Sequence, residues 1–507
     1  MSPLEKVQIC QILDYNLLII SSYFFDKMTF SSGLIDYYMC MKKVYYMCMK
    51  KNLSSLLTLV AVLLIAACDP GKGQFTVDNT EPVSPDNRVI YQMNVGAFTA
   101  EGTFQAAQQQ LGRLDTLGVD IVWLMPVYPR GETMHSPYAS KNFRDVNPAY
   151  GTVADLKAFV AAAHERGIKV WLDWVPNHVA VENPWVQSHP EYFTTDKKGQ
   201  MIHPHGWGDV FELNYQDEGL VGEMNGALRF WVDSCDVDGF RCDYVSSPTI
   251  PVSYWQNIIA ELKSRGRTVE FLSETDITNA ENIRIDSCGF DYDYAWDFQG
   301  ALAWRFKDSP SADTLKMLCN RFLEASATVK NHRMVYLTNH DQNYNDGGHT
   351  LKDFYGDNRY PLTVLEFTFY GMPLIYNGQE IGDPDTLNYF TDAKVKWEQV
   401  DRKMQHMVRT LVALHHTQPS LAATAPVDIL DTDQPTVLAY RRGAVLVLLN
   451  LGAEPCQVSC ADIAAGTYTQ WLNEQTIADG PAVTTATLSA DTPIALGAKG
   501  FAVYVKQ

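Results

Sequence analysis

At four places in this chain, short apolar runs end in side chains that can move protons or act as nucleophiles. Asp173, Asn177 and His178 follow KVWL, and Arg241 and Asp243 follow GF. Glu274 and Asp276 close FLSETD, and Asn339, His340 and Asp341 come directly after MVYLT. A lone aspartate after a strand more often caps the next helix. Three carboxylates joined by histidines and an arginine, at the ends of separate runs, are the equipment of acid–base and nucleophilic chemistry. Core packing explains none of them.

Those runs belong to a regular alternation. Strands are predicted over Val89–Asn94, Ile121–Pro126, Lys169–Val175, Gly239–Asp243, Val269–Glu274, Phe290–Tyr294, Met334–Asn339 and Pro373–Tyr376. Helical periodicity falls between them at Thr103–Thr116, Val153–Arg166, Gly219–Ser234, Tyr254–Ser264 and Ala312–Val329. This pattern predicts a (β/α)8 TIM barrel over residues 88–415, whose chemistry sits at the C-terminal strand ends. A doubly wound open sheet is the competing α/β fold, but no glycine-rich dinucleotide loop follows VIYQMNVG. The stretch from 178 to 218, with YFTTDKKGQ and HPHGWGD, is too long for one crossover and predicts a small inserted domain after the third strand. From residue 420 to 507 alternating strands such as TVLAYRRG, AVLVLLNLG and GFAVYVKQ predict a C-terminal antiparallel β-sandwich.

DWVPNH (173–178), GFRCD (239–243), Glu274 and NHD (339–341), in that order, resemble the four conserved regions of glycoside hydrolase family 13, the α-amylase family. GVDIVWLMPV (118–127), FELN (211–214) and GMPLIYNGQE (371–380) resemble three further stretches of that family. The resemblance covers about residues 88–507 and implies a retaining α-glucan hydrolase. By position it makes Asp243 the nucleophile and Glu274 the acid/base. Asp341 becomes the third carboxylate, on the sugar hydroxyls. Two carboxyl groups about 5–5.5 Å apart are what retention requires. Glu274 must then be held protonated by burial or by neighbouring carboxylates. Arg241, two residues before Asp243, points to the same face and is expected to keep the nucleophile ionised. His178 and His340 resemble the pair that hydrogen-bonds the sugar at the cleavage subsite, and Tyr138 resembles the tyrosine that stacks on it. Asp173 reads as structural, tying strand ends together.

Asn177 resembles a calcium-ligating position, so Ca2+ is the one metal implied; no organic cofactor is. Two departures stand beside this. Ser246 and Ser247 occupy the place of a Lys-His pair that many members use for sugar and calcium contacts, and Asn142 stands for a loop aspartate. The same motifs also serve transglycosylases and trehalose- or sucrose-active enzymes. A reading from another class is a non-catalytic glycan-binding lipoprotein, against which the intact Asp243, Glu274 and Asp341 argue.

The 507 residues carry 40 Lys and Arg against 59 Asp and Glu, a net charge of −19. A field of that sign repels phosphate backbones, which excludes a sequence-independent grip on nucleic acid. An uncharged sugar is indifferent to it. Near the N-terminus Met49-Lys50-Lys51-Asn52 precedes the apolar run Leu53–Ala67 and then Cys68. Fifteen residues are short for a span, and LIAAC (64–68) resembles a bacterial lipoprotein box with Cys68 as the lipidated residue. An exported, membrane-anchored lipoprotein is therefore expected, with residues 1–48 an upstream extension from a start called too early and 68–87 a tether. Ten cysteines are too sparse for a disulfide scaffold, although Cys456 and Cys460 could pair.

Overall fold

The computed structural model describes residues 83–507, except 278–282, 346–347, 475–476 and 478–482. The upstream extension, the run before Cys68, Cys68 itself and most of the tether lie outside the described residues. Up to residue 376 the strands are β1 (Ile90–Met93), β2 (Ile121–Leu124), β3 (Lys169–Trp174), β4 (His178–Ala180) and β5 (Val210–Glu212). They continue with β6 (Gly239–Cys242), β7 (Glu270–Ser273), β8 (Tyr292–Tyr294), β9 (His332–Val335) and β10 (Met372–Tyr376). Eight of them close a parallel barrel in the order β1-β10-β9-β8-β7-β6-β3-β2. The other two, β4 and β5, pair antiparallel, with His178 opposite Glu212.

Side chains alternate along each strand, so every second residue enters the barrel. Ile90, Trp123, Trp171, Leu272, Tyr294, Met334 and Leu374 fill its interior, while Tyr91, Val122, Val170, Phe240 and Phe271 pack outward beneath the helices. The inward row of β3 therefore reads Trp171 then Asp173, that of β6 Gly239, Arg241 then Asp243, and that of β7 Leu272 then Glu274. The floor is apolar and the upper end is charged. Gly239 is required for this: a Cβ there would lie 2.3 Å from the Glu270 carbonyl oxygen and 2.7 Å from the Trp171 ring. Below the floor, Glu270 is clamped by Arg88 at 2.6 Å and Lys169 at 3.0 Å, an ion cluster far from the charged end.

Several helices begin on side-chain caps, as at Thr152, whose capping box with Asp155 starts Val153–His164. Asp217 caps Glu218–Cys235 and Asp401 caps Arg402–Thr417. Two differences from the sequence reading stand out. The helix expected over Thr103–Thr116 is two, Phe104–Gln109 and Leu111–Leu117, parted at Gln110. Helices Arg359–Thr368 and Arg402–Thr417 were not among the expected elements; the first is buried from Pro361 to Thr368.

Beyond residue 427 the strands are β11 (Asp428–Leu430), β12 (Val437–Arg442), β13 (Val445–Asn450), β14 (Cys456–Val458), β15 (Gly466–Asn473), β16 (Thr484–Leu488), β17 (Ile494–Leu496) and β18 (Phe501–Lys506). Six form one antiparallel sheet, β11-β12-β13-β18-β15-β16, and β14 pairs with β17 in a second. Buried Arg442 ties this region to the barrel layer, donating to the carbonyls of Phe369, Leu421, Ala422 and Ala425. Cys456 and Cys460 are both free thiols, so the pairing that their spacing allowed is not formed. Among the described residues no helix is long and apolar enough to cross a membrane.

Candidate active site

The charged upper end of the barrel is organised by one side chain. Arg241 is fully buried, and its guanidinium reaches three carboxylates: Nη1 donates to Asp173 Oδ1 and to Asp243 Oδ1, both at 2.9 Å. Its Nη2 lies 2.6 Å from Glu274 Oε1, close enough for an ion pair although the N–H is not aligned for a hydrogen bond. Nε donates to the Tyr294 hydroxyl at 3.1 Å. A buried guanidinium remains charged and offers a planar fork, which suits it to hold several carboxylates at fixed mutual distance. Holding Asp243 and Glu274 on one guanidinium keeps the two close together.

One positive charge serves these carboxylates and faces Asp341 nearby, so they cannot all ionise cheaply. Burial pushes Glu274 up to about 8; Arg241 opposes this, while Asp243 and Asp341 add to it. Asp243 is pushed up less, to about 6, by burial, against Arg241 and with Asp173. Asp173 is raised to about 7 by burial against the same guanidinium. Arg241 favours the ionised form of Asp243 by its charge and its hydrogen bond, in the direction expected from its placement two residues away, against the larger effect of burial. It is shared, and burial outweighs it at each of the three carboxylates, so all are raised. A carboxyl group neutral near pH 7 beside one that is ionised is the division of roles that acid-assisted displacement needs.

The expected sugar contacts gather on the other wall. Tyr138 stacks on His340, with ring centroids 5.2 Å apart at 15°, and its hydroxyl lies 2.5 Å from His340 Nε2 and 3.2 Å from Asp173 Oδ2. Gln92 Nε2 meets His340 Nδ1 at 2.7 Å from below. Burial lowers both His340 and His178 to about 4, so each is a neutral imidazole at neutral pH. Asn339 Oδ1 accepts from the backbone N–H of Asp341 and of Gln342, which turns the third carboxylate into the cleft. Tyr138, His178, Asp243, Glu274, His340 and Asp341 all line one cleft of about 950 Å3, a volume suited to several linked sugar rings. Arg241 lies beneath its floor.

Asn177 stands behind the cleft. Its Nδ2 donates to His178 Nδ1 at 3.1 Å, and its Oδ1 is buried without a hydrogen-bond partner. Calcium takes six to eight oxygens, most often including carboxylates. Among the described residues no group of three or more His, Cys, Asp or Glu is placed to hold a metal ion, so Asn177 Oδ1 would have to be joined by backbone carbonyl or other amide oxygens. We propose Asn177 as a calcium ligand: EDTA is then expected to lower the Tm in differential scanning fluorimetry and added Ca2+ to restore it, and an unchanged melt would contradict the site. Asn142 accepts from the Arg144 backbone and stays on its own loop, while Ser246 lines the cleft and Ser247 is buried against Thr249.

Sequence reasoning passed over several groups. Gln92 and Trp123 are barrel-interior polar contacts: Trp123 Nε1 donates to Asp173 Oδ2 at 3.2 Å. Their signal was a glutamine and a tryptophan on the inward rows of β1 and β2. Trp207 and Tyr244, at the cleft rim, carried no periodic signal. Their loops had to be folded before they met.

The sequence profile of the alpha amylase catalytic domain matches residues 76–412. The α-amylase MalA of Haloarcula japonica is 28% identical over 425 residues, 76% of this chain and 59% of the relative, so the chain spans about six-tenths of that protein's length. An α-1,4-glucan:maltose-1-phosphate maltosyltransferase of Mycolicibacterium smegmatis is 30% identical over 232 residues, 41% of this chain and 33% of that one. Among solved structures, the maltogenic α-amylase AmyB of Thermotoga neapolitana superimposes with a TM-score of 0.70 at 25% identity, covering 83% of this chain and 99% of that one. An α-amylase from Lactobacillus plantarum does so at 0.68 and 26% identity, with the same coverage. The profile takes in the whole barrel and every strand end that carries a charged cleft residue, and on that ground the chain belongs to the α-amylase family, glycoside hydrolase family 13.

Proposed function

We propose that the protein is a retaining α-glucan hydrolase that cleaves α-1,4-glucosidic bonds in starch, glycogen or maltooligosaccharides. The observation that carries this is the shared guanidinium: Asp243 and Glu274 sit on one buried Arg241 in an open cleft, where burial and the neighbouring Asp243 and Asp341 favour the protonated form of Glu274. Asp243 attacks the anomeric carbon while Glu274 gives its proton to the departing glycosidic oxygen. The glycosyl ester on Asp243 is then opened by water, whose proton returns to Glu274. Neutral His178 and His340 donate hydrogen bonds to sugar hydroxyls as positive charge builds on the ring. Reducing-sugar release from soluble starch by the protein starting at Asp69 tests the reading. No release with retained starch binding would favour a glycan-binding protein. Glycosyl transfer is the second reading, favoured by the relatives named as maltosyltransferases.

The protein is further proposed to be an exported lipoprotein anchored through Cys68, supported by Met49-Lys50-Lys51 and LIAAC ahead of the barrel. Cys68→Ala is expected to abolish incorporation of labelled fatty acid and to release the protein from the membrane fraction. Undiminished labelling would contradict the anchor.

A further inference from the structure

Among the described residues, Met134 and Trp207 are large apolar side chains left exposed, at 52% and 45%, and both line the catalytic cleft. Exposed apolar residues scattered singly need no explanation. Trp207 is not single. Its ring meets His178 edge-on at 5.5 Å and lies 4.8 Å from the ring of His205. His205 Nε2 is 3.0 Å from the hydroxyl of Tyr244. Tyr244 directly follows Asp243, and its backbone N–H donates to Glu274 Oε2 at 2.9 Å. A row of rings thus runs from His178 to the residue that holds the acid/base in place.

The backbone shows that this row is imposed by its surroundings. His205 and Tyr244, the two partners of that hydrogen bond, both have left-handed backbones, at φ 53° and 42°. Residues with a Cβ rarely adopt that region, and when they do it is concentrated at functional sites. Glu274 protonates the leaving oxygen, so side chains on its side of the scissile bond face the leaving sugar. Ser246 offers only a short hydroxyl there, whereas an aromatic face complements the apolar C–H face of a pyranose.

We propose that Trp207, held by His205 and Tyr244, is the platform for the first sugar of the leaving group. In glycosyl transfer the same platform seats the acceptor sugar. Its hydroxyl oxygen then attacks the anomeric carbon of the glycosyl ester, the bond to Asp243 breaks, and the proton passes to the Glu274 carboxylate. The proposal rests on the α-glucan reading above.

The test compares wild type, Trp207→Ala and Trp207→Phe on maltopentaose and on α-maltosyl fluoride, whose leaving group is not a sugar. Trp207→Ala is expected to lower kcat/KM for maltopentaose by about 30-fold, the size of one lost aromatic contact. Hydrolysis of the fluoride should stay within about threefold, and phenylalanine should recover most of the loss. Transfer from the fluoride to added maltose should fall relative to hydrolysis. Equal losses on both substrates, or an unchanged kcat/KM for maltopentaose, would overturn the platform. A melting curve distinguishes the first of these from misfolding. Wild-type protein inert toward both substrates would overturn the α-glucan reading itself, and the platform with it.

Discussion

Asparagine in place of Asp243 is expected to slow every α-glucoside by about 10⁴-fold or more, whatever its leaving group. The amide has nearly the size of the carboxylate, and its oxygen can still accept from Arg241 Nη1, which donates to Asp243 Oδ1 at 2.9 Å in the native protein. What is lost is the oxygen that forms the bond to the anomeric carbon. Asp173 cannot take its place, because it is buried below the cleft between Arg241, Trp123 and Tyr138. Removing one negative charge from a cluster with surplus negative charge also relieves repulsion, so the Tm should hold or rise. Activity on maltopentaose and on α-maltosyl fluoride, with a melting curve, checks this. Fluoride hydrolysis surviving in Asp243→Asn would remove Asp243 from the role of nucleophile.

Glutamine in place of Glu274 is expected to behave differently, because an acid is needed only as far as the leaving group needs a proton. A sugar alkoxide needs one and fluoride needs far less. Loss of general acid catalysis should therefore cost about 10³-fold or more on maltopentaose, while the first turnover of α-maltosyl fluoride stays within about tenfold. Glu274 is pushed up to about 8, so it is protonated at pH 7 and loses its proton as pH rises through that range. The wild-type kcat/KM for maltopentaose should accordingly fall on the alkaline side, and the first turnover of the fluoride by Glu274→Gln should lack that limb. On the acid side both proteins lose activity as the raised Asp243 takes up a proton. Because these carboxylates share Arg241, the limbs report the cluster rather than single residues. Equal losses on the two substrates would assign Glu274 a structural part only.

The barrel was legible because its strands are short apolar runs between amphipathic helices, a pattern written in local sequence. The strand ends Asp243, Glu274 and Asp341 were legible because a charged residue directly after such a run has no packing reason to be there. Less could be seen where a role depends on distant neighbours. Arg241 was expected to serve Asp243, two residues away, and the contacts to Asp173 and Glu274 came from strands 68 and 33 residues away in the chain. Gln92 reaches His340 across 248 residues. The helix at Arg359–Thr368 is short and has Pro361 in its first turn, which reads as a break in the sequence although proline is tolerated there. Trp207, His205 and Tyr244 lie outside the strands and α-helices, where composition says little about which rings will meet.

The most direct measurement is peptide mass spectrometry of Glu274→Gln quenched during turnover of α-maltosyl fluoride. The first step needs little acid, whereas the second has lost the base that activates water, so the glycosyl-enzyme ester should accumulate. A maltosyl adduct on the peptide carrying Asp243, with maltose released as the α-anomer from the wild-type protein, is the expected result. An adduct on another residue, or release of the β-anomer, would contradict the double displacement through Asp243 and Glu274.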